Sequence, residues 1–305
     1  MSVTAIVLVL ASAFVHAAWN LLGKRSGANA TYFCVASAAA AVILSPILIV
    51  WSEAVVRIPQ TVWAYLVVTG FFQALYFTGL AGAYRHGDLS VVYPVARAFP
   101  VLIVPAVSAI IGAGESPTVL ALAGMVVVAT GLLVIPQERL GRPNVSELFG
   151  TWLAFAFLAG VGTSGYSIVD DAALSIYREV LAAHVGSAHV RAPIVYSVFQ
   201  LWSTAVFLSG FALVAAGGPR RFVFELRRTP LVAAATTGLA VVTAYCLVLA
   251  AYGFARDVSY VVAFRQISLP IGGLLGILYL GETASAARVA GTVLIVSGLV
   301  AVALG

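Results

Sequence analysis

Arg97 and Arg265 are cations within long apolar stretches of the sequence. Arg97 lies about seven residues into its stretch, or roughly 10 Å at 1.5 Å per helical residue. Arg265 has the equivalent place in a second stretch and is followed by Gln266. A guanidinium in low-dielectric surroundings binds a carboxylate through two parallel hydrogen bonds. The alternative is that each long side chain extends to the lipid headgroups, which is feasible from that depth.

A second set of polar and aromatic side chains recurs at helical spacing in the apolar stretches. Ser12, His16 and Asn20 are four residues apart and therefore share one helix face, with Trp19 beside them. Their depth favours a water-filled cavity, whereas tyrosines near span ends could equally anchor at the headgroups. The candidate substrate-binding residues are His16, Trp19, Asn20, Gln73, Tyr76, Tyr84, Tyr93, Arg97, Ser164, Tyr166, Tyr245, Tyr252, Arg265 and Gln266.

The composition excludes a soluble globular domain. Hydrophobic residues make up 62% of the 305 residues, charged residues only 9%, and the mean hydropathy is +1.07. Soluble domains carry about a quarter charged residues. A membrane span needs roughly 20 apolar residues, and cutting the chain at its charges and turn residues predicts ten spans. They cover residues 3–22, 32–52, 61–84, 90–112, 117–136, 149–169, 192–216, 230–254, 258–280 and 284–304.

The predicted spans leave no room for a catalytic domain. Within them we find no set of metal ligands and no paired nucleophile and base. We therefore expect a protein that is not an enzyme and holds no cofactor or metal. The net charge of +5 reflects loop arginines and lysines near lipid headgroups rather than nucleic-acid binding. The expected partners are the lipid bilayer and a small-molecule substrate.

The two halves of the chain repeat each other. Residues 114–131, GESPTVLALAGMVVVATG, match residues 281–298, GETASAARVAGTVLIVSG, with the Glu and two Gly at the same spacing. A Thr-Gly pair at 69–70 recurs at 237–238, and a tyrosine follows each Gly by fourteen residues. This predicts an all-α integral membrane protein of two five-helix repeats, 1–137 and 149–305, joined by the loop 138–148. Because five is odd, the second repeat must cross in the opposite sense, which is the inverted architecture of secondary transporters.

Three prolines lie in one predicted span, in the stretch YPVARAFPVLIVP at 93–105. Each removes a backbone hydrogen bond that hydrocarbon cannot replace. The loss is tolerable where the span lines a cavity, and a bent helix there would serve as a hinge for alternating access. Local irregularity without a role in transport is the alternative. The candidate hinge residues are Pro94, Pro100, Pro105 and Pro270.

Two pairs of glycines at seven-residue spacing mark helix-packing faces. They are Gly124 with Gly131 and Gly291 with Gly298. Small residues let membrane helices approach closely, so we expect spans five and ten to pack against each other or against another copy. The corresponding expectation for the oligomeric state is a monomer or a weak homodimer.

These motifs together resemble a known superfamily. The ten-span pattern, the N-x-x-x-K at 20–24, the Y-P-x-x-R-x-x-P at 93–100 and the two Gly-Glu-Ser/Thr turns are similar to the drug/metabolite transporter superfamily, over essentially the whole chain. Within it the chain resembles the EamA-type ten-span exporters, which include the aromatic amino-acid exporter group. The resemblance implies export of small metabolites across a bacterial inner membrane by alternating access, with amino acids, aromatic and apolar ones included, as the expected substrates. Other metabolites, such as drugs or nucleotide-related and sugar-phosphate compounds, and lipid flipping are the alternatives.

Two further expectations concern polar segments. No Asp or Glu lies well inside any predicted span, so we expect facilitated diffusion, or coupling through a group such as His16.

The segment 170–191 is too polar to span and is predicted to form a short interfacial amphipathic helix, at about 172–190, with an apolar face of Leu174, Tyr177 and Leu181.

The orientation follows from the loop charges. The odd-numbered loops carry ten Lys and Arg residues and the even-numbered loops carry four. The positive-inside rule then predicts cytoplasmic odd loops and external termini.

Overall fold

The computed structural model describes residues 3–27, 29–111, 117–137, 149–252, 254, 261 and 264–305. Over these residues the regular secondary structure is entirely helical, with no strand. The described helices are α1 (Val3–Arg25), α2 (Ala30–Leu44), α3 (Pro46–Val50), α4 (Ser52–Val55), α5 (Gln60–His86), α6 (Leu89–Ile111), α7 (Val119–Val134), α8 (Thr151–Ala182), α9 (Ala188–Ala215), α10 (Pro219–Arg228), α11 (Leu231–Tyr252), α12 (Ser268–Leu280) and α13 (Ala286–Leu304).

Seven helical segments among the described residues are long and apolar enough to cross a membrane; one of them combines α2 with α3, and another is the first part of α11. They are Val3–Arg25, Ala30–Val50, Gln60–His86, Thr151–Ala182, Ala188–Ala215, Leu231–Val248 and Ala286–Leu304. Three shorter apolar helices, Leu89–Val104, Val119–Val134 and Ser268–Leu280, lie within other predicted spans. The prediction of an all-helical, multi-pass membrane protein is confirmed.

The outer surface of the bundle is apolar, as lipid requires. Phe14 is 59% exposed, Val126 is 66% exposed and Val293 is 60% exposed, although all three lie in the middle of apolar helices. In water these side chains would be driven inward by the hydrophobic effect, whereas hydrocarbon solvates them. By contrast, Asn20, Thr69 and Thr237 are buried in the interior of the bundle.

Loops gather at two opposite ends of the bundle. At one end the described residues 26–27 and 29 meet the segments 87–88, 216–230 and 281–285. We call it the basic end because Lys24, Arg25, Arg85 and the arginines of α10 lie there. Three contacts join its loops: the Thr31 hydroxyl donates to Glu225 over 2.7 Å, the Lys24 ammonium donates to the Gly87 carbonyl over 2.7 Å, and Arg288 pairs with Asp88 at 2.6 Å. At the other end Arg191 pairs with Glu53, and the Tyr177 hydroxyl donates to the Ala54 carbonyl over 2.9 Å.

The segment 170–191 differs from its prediction. Its residues up to Ala182 continue α8, which is a single helix of 32 residues, and the chain then turns into α9. The apolar face of Leu174, Tyr177 and Leu181 is present, but it is buried in the bundle against α9 and the segment that precedes α5. Amphipathicity alone cannot tell a lipid surface from a protein surface, since either buries the apolar face.

The amphipathic surface helix lies elsewhere, at α10. It carries Arg220, Arg221, Arg227 and Arg228, while Val223 and Phe224 remain 44% and 53% exposed. A helix with basic and apolar groups together at the end of a membrane bundle suits the lipid interface.

The predicted hinge prolines lie in two helices. α6 runs as a helix through Pro94, Pro100 and Pro105, and the Pro105 side chain lies outside the described set. Pro270 lies in the first turn of α12. A first-turn proline costs no intrahelical hydrogen bond, because its N–H would have no partner there. Pro270 therefore needs no bend to be accommodated.

Glycines bring α7 and α13 into direct backbone contact. A Cβ on Gly124 would lie 2.7 Å from the Gly298 carbonyl oxygen, and one on Gly298 would lie 2.6 Å from that of Gly124. Gly131 and Gly291 face the partner helix in the same way, at Ile295 and Ile135. These two helices therefore pack against each other within one chain, which is one of the two arrangements that the sequence allowed.

Gly298→Ala should destabilise the bundle by about 1–3 kcal/mol, because the added methyl group overlaps the backbone of α7. Gly210→Ala in α9 is the matched control, since nothing lies within 4 Å of its Cβ position. Thermal unfolding of both variants in the same detergent measures the difference. Equal melting temperatures would show that α7 and α13 are not in contact at this position.

Candidate functional site

Aromatic rings and an arginine from four helices meet inside the bundle. We call this set the aromatic–arginine cluster. His16 lies thirteen residues after the start of α1 and nine before its end, so it is roughly 20 Å and 14 Å from the two ends. The cluster is therefore well inside the bundle. Its members are His16 and Trp19 of α1, Tyr76 of α5, Tyr93 and Arg97 of α6, and Tyr166 of α8.

The cationic part of the cluster is built on α1 and α6. Arg97 Nη1 lies 3.5 Å from His16 Nε2, and the imidazole stacks on the Tyr93 ring with centroids 6.0 Å apart. The Tyr93 hydroxyl donates to Ser268 Oγ of α12 over 3.0 Å, which fixes the ring. Arg97 is half-buried, so its guanidinium is neither sealed in protein nor fully solvated. It can receive an anion.

The aromatic part of the cluster continues from His16 across α5 to α8. The Trp19 ring lies edge-on to His16 at 5.1 Å and to Phe77 at 6.5 Å. Tyr76 contacts Phe77 at 4.9 Å and Tyr166 at 5.9 Å. The Trp19 indole N–H is buried and has no acceptor among the described residues. A buried donor without a partner is costly, so this position suits an acceptor on a ligand or a water molecule.

Two predicted site residues next to the cluster are already hydrogen-bonded. The Asn20 amide accepts from the Tyr84 hydroxyl and donates to the His16 carbonyl over 2.7 Å. Both side chains are buried. In this conformation Asn20 and Tyr84 connect α1 to α5 and hold the helix face that carries His16 and Trp19.

The remaining predicted residues lie in varied surroundings. The Ser164 hydroxyl donates to its own helix at the Gly160 carbonyl, over 2.9 Å. Gln73 is half-buried on α5, between Thr69 and Tyr76. Arg265 is half-buried and lies three residues before the start of α12. Tyr245 and Gln266 are half-buried, and the Tyr252 side chain lies outside the described set.

Ionic groups close the basic end next to the cluster. Glu282 accepts the backbone N–H groups of Leu89 and Ser90 over 2.6 and 2.8 Å, and so caps α6. Lys24 Nζ donates to the Tyr84 and Gly87 carbonyls, which ties α1 to the α5–α6 turn. We call Lys24, Asp88, Glu282 and Arg288 the basic-end network. In the sequence, the Glu282 turn was recognisable as a repeat marker and as one motif of the superfamily resemblance, but not as a helix cap.

Sequence reasoning also missed a carboxylate within the bundle. Asp170 of α8 accepts hydrogen bonds from Thr69 over 2.6 Å, Tyr196 over 2.8 Å and Gln200 over 2.7 Å. The predicted sixth span ended at residue 169, one residue too early. The four-residue spacing of Tyr196 and Gln200 on one face of α9 was the available signal.

A separate depression of about 390 Å³ lies beside the start of α8. None of its lining side chains is polar, so no side chain there can pair with a charged ligand. Of these two places, the aromatic–arginine cluster is the one with a charged side chain that can pair with a ligand. The lining residues are Phe99, Phe149, Gly150, Leu153, Ala154 and Phe157.

Comparison with known proteins supports the fold alone. No protein-family model matches the chain, and no curated protein is significantly similar in sequence. One solved structure, described only as a crystal structure of a protein, aligns with a TM-score of 0.59 at 18% identity. The alignment covers 99% of this chain and 96% of the other. Fold and site together define a multi-pass helical membrane protein with a cationic, aromatic site inside its bundle.

Proposed function

We propose that this protein is a secondary transporter that exports small metabolites, with amino acids as its substrate class. One observation carries the proposal: a half-buried guanidinium, that of Arg97, lies among aromatic rings inside a membrane bundle. A charge at that depth is costly and is kept where it has a function. Transport of this kind requires no chemical step and no cofactor.

The chemistry of the cluster suits an amino acid with an apolar side chain. Arg97 would hold the carboxylate through a charge-assisted pair, and the unpartnered Trp19 N–H would donate to one of its oxygens. The rings of Tyr76, Tyr93 and Tyr166 would contact the apolar part of the substrate. Half-buried Gln73 would serve the ammonium group through its amide oxygen.

Helix pairing supports the proposed inverted repeats. In the first half α1 packs on α11 and α2 packs on α11, while in the second half α8 packs on α5 and α9 packs on α5. The first two long helices of each half therefore pack on the same helix of the other half: α1 and α2 on α11, and α8 and α9 on α5. Gly70 of α5 lies against Ser203 of α9, and its repeat counterpart Gly238 of α11 lies against Ala36 of α2. Together with the sequence motifs, this favours ten spans and membership of the EamA-type group in the drug/metabolite transporter superfamily.

Counterflow in proteoliposomes tests the proposal. Vesicles loaded with an unlabelled amino acid should take up the same labelled amino acid faster than protein-free vesicles, over a panel that includes phenylalanine, tryptophan, leucine and threonine. A nucleotide sugar, a sugar phosphate, a cationic dye and a fluorescent phospholipid form the comparison set. Counterflow with a member of that set and with no amino acid would reject the amino-acid assignment. Phospholipid movement alone would identify a flippase.

We further propose location in a bacterial inner membrane with the basic end facing the cytoplasm, in agreement with the excess of positive charge there. Cys34 and Cys246 would first be replaced by alanine, and a single cysteine then introduced at Arg221, which is exposed on α10. An impermeant maleimide should label this cysteine in inverted membrane vesicles but not in intact cells. Labelling in intact cells would show that the basic end faces the outside of the cell.

A further inference from the structure

Asp170 is a carboxylate in the interior of the bundle whose described partners are all neutral. Thr69 and Tyr196 donate to Oδ1, and the Gln200 amide donates to Oδ2. Among the residues that the structure describes, no Lys, Arg or His forms an ion pair with Asp170. An intramembrane carboxylate without a cation is expensive to keep ionised. Its neutral, protonated form is therefore accessible.

Asp170 lies deep along the bundle. Asp170 is nineteen residues after the start of α8 and twelve before its end, or roughly 28 Å and 18 Å from the two ends. Its partner Gln200 is twelve residues after the start of α9 and fifteen before its end. Asp170 is half-buried rather than fully buried. By contrast, the next residue, Asp171, is exposed on the outside of α8.

The titratable and charged groups around Asp170 come from four helices. Tyr196 of α9 donates a hydrogen bond to Asp170 directly. Tyr245 of α11 interacts electrostatically with Tyr196. On the same helix as Asp170, Tyr166 lies one turn away. The positive charge nearest to Tyr166 on α6 is that of Arg97. α5 contributes the neutral Thr69.

The repeat counterpart of Thr69 in the other half of the molecule is Thr237 of α11. Its hydroxyl bonds directly to the Tyr32 hydroxyl of α2 over 2.7 Å, with no carboxylate between the two groups. In that half a threonine and a tyrosine therefore join neighbouring helices directly, whereas Asp170 lies between Thr69 and Tyr196 in the other half.

We propose that Asp170 is a proton-binding site that couples proton entry to substrate export. The inference rests on the proposed transport function. The proton enters from the aqueous phase outside, binds Asp170, and leaves to the aqueous phase inside, while substrate moves in the opposite direction. No other bond is made or broken.

Protonation would switch the contacts between helices. Oδ1 already accepts two hydrogen bonds, so the proton binds Oδ2, where it meets the Gln200 amide N–H. In the proposed switch the new O–H group donates to Gln200, and the amide turns to accept through its oxygen. The amide then also releases Thr69, to which Nε2 donates over 2.9 Å. Because α5 and α8 also carry Tyr76 and Tyr166, this change reaches the aromatic–arginine cluster.

Proteoliposomes test the coupling with Asp170→Asn and the matched control Asp171→Asn. The tracer is the labelled amino acid with the fastest counterflow. With wild-type protein and with Asp171→Asn, an imposed pH gradient should drive its accumulation, and equal pH on both sides should not. Asp170→Asn should lose this accumulation at least tenfold but keep counterflow within about twofold. Retained gradient-driven accumulation in Asp170→Asn, or indifference of the wild type to the gradient, overturns the proposal. Accumulation driven by a sodium gradient alone does so as well.

A measurement without substrate separates this inference from the proposed function. Infrared difference spectra recorded against pH should show a protonated-carboxyl band that Asp170→Asn removes and Asp171→Asn retains. If no amino acid gives counterflow, the transport assignment fails, and this band alone decides whether Asp170 binds a proton. If Asp170→Asn does not insert, Asp170→Glu replaces it and should retain a shifted band. Absence of the band from the wild type over the whole stable pH range overturns the proposal.

Discussion

Arg97→Ala is expected to lower amino-acid flux about 10- to 100-fold, normalised to inserted protein. The range follows from losing one hydrogen-bonded charge pair, about 1.5–3 kcal/mol, at 1.4 kcal/mol per tenfold. The guanidinium lies 3.5 Å from His16 and beside the Tyr93 ring, where a carboxylate would leave water behind. Counterflow at saturating and at low substrate concentration measures the effect. Most of the loss should be in apparent affinity if Arg97 binds substrate equally in all states.

Arg97→Lys distinguishes the pair from a simple charge. Lysine keeps the positive charge but lacks the planar fork, so flux should recover only in part. Arg85→Ala is the control, because Arg85 is an exposed arginine at the end of α5. It should transport normally. Wild-type flux in Arg97→Ala would show that this guanidinium reaches the headgroups and takes no part in binding.

Glu282→Ala should open the basic end of the bundle. The carboxylate accepts two backbone N–H groups at the start of α6, and its removal leaves both without a partner. Each charge-assisted hydrogen bond is worth about 1.5–3 kcal/mol. Hydrogen exchange of residues 88–92 should therefore accelerate by about tenfold or more. Transport should fall as well, since alternating access needs a stable closed state at each end.

Glu282→Gln and Glu179→Ala complete this test. The amide of Glu282→Gln can still accept one N–H through its oxygen, so it should give an intermediate result. Glu179 is an exposed carboxylate on α8 and serves as the control. If exchange at residues 88–92 were unchanged in Glu282→Ala, the basic-end network would not hold α6 in place.

Part of the candidate site was readable from residue type and depth. Polar and aromatic residues in an apolar stretch are costly unless they face other protein groups, so His16, Trp19, Tyr76 and Arg97 could be selected without a structure. The groups that these side chains contact could not be predicted in this way. The approach of Arg97 to His16 joins residues 81 positions apart, and no local pattern encodes that contact.

Asp170 is a residue whose surroundings could not be predicted from the sequence. Beside Asp171 and the polar segment after it, this residue reads as the start of a loop. Its position depends on the length of α8 and on the docking of α8 against α5 and α9, which bring Thr69 and Gln200 to it. The predicted sixth span therefore stopped one residue short of a carboxylate that lies in the same helix. The proposed coupling group changes with it, from His16 to Asp170.

The sequence by itself determined the membrane class, the helical secondary structure and the glycine faces, because hydropathy, length and residue size act locally along the chain. Only the tertiary structure decided which helices meet. It placed Gly124 against Gly298 in one chain, turned Leu174 and Tyr177 toward protein instead of lipid, and gave Asp170 three neutral donors. The physical reason is that a side chain's energy depends on the neighbours that it reaches. In a helical bundle those neighbours come from distant parts of the chain.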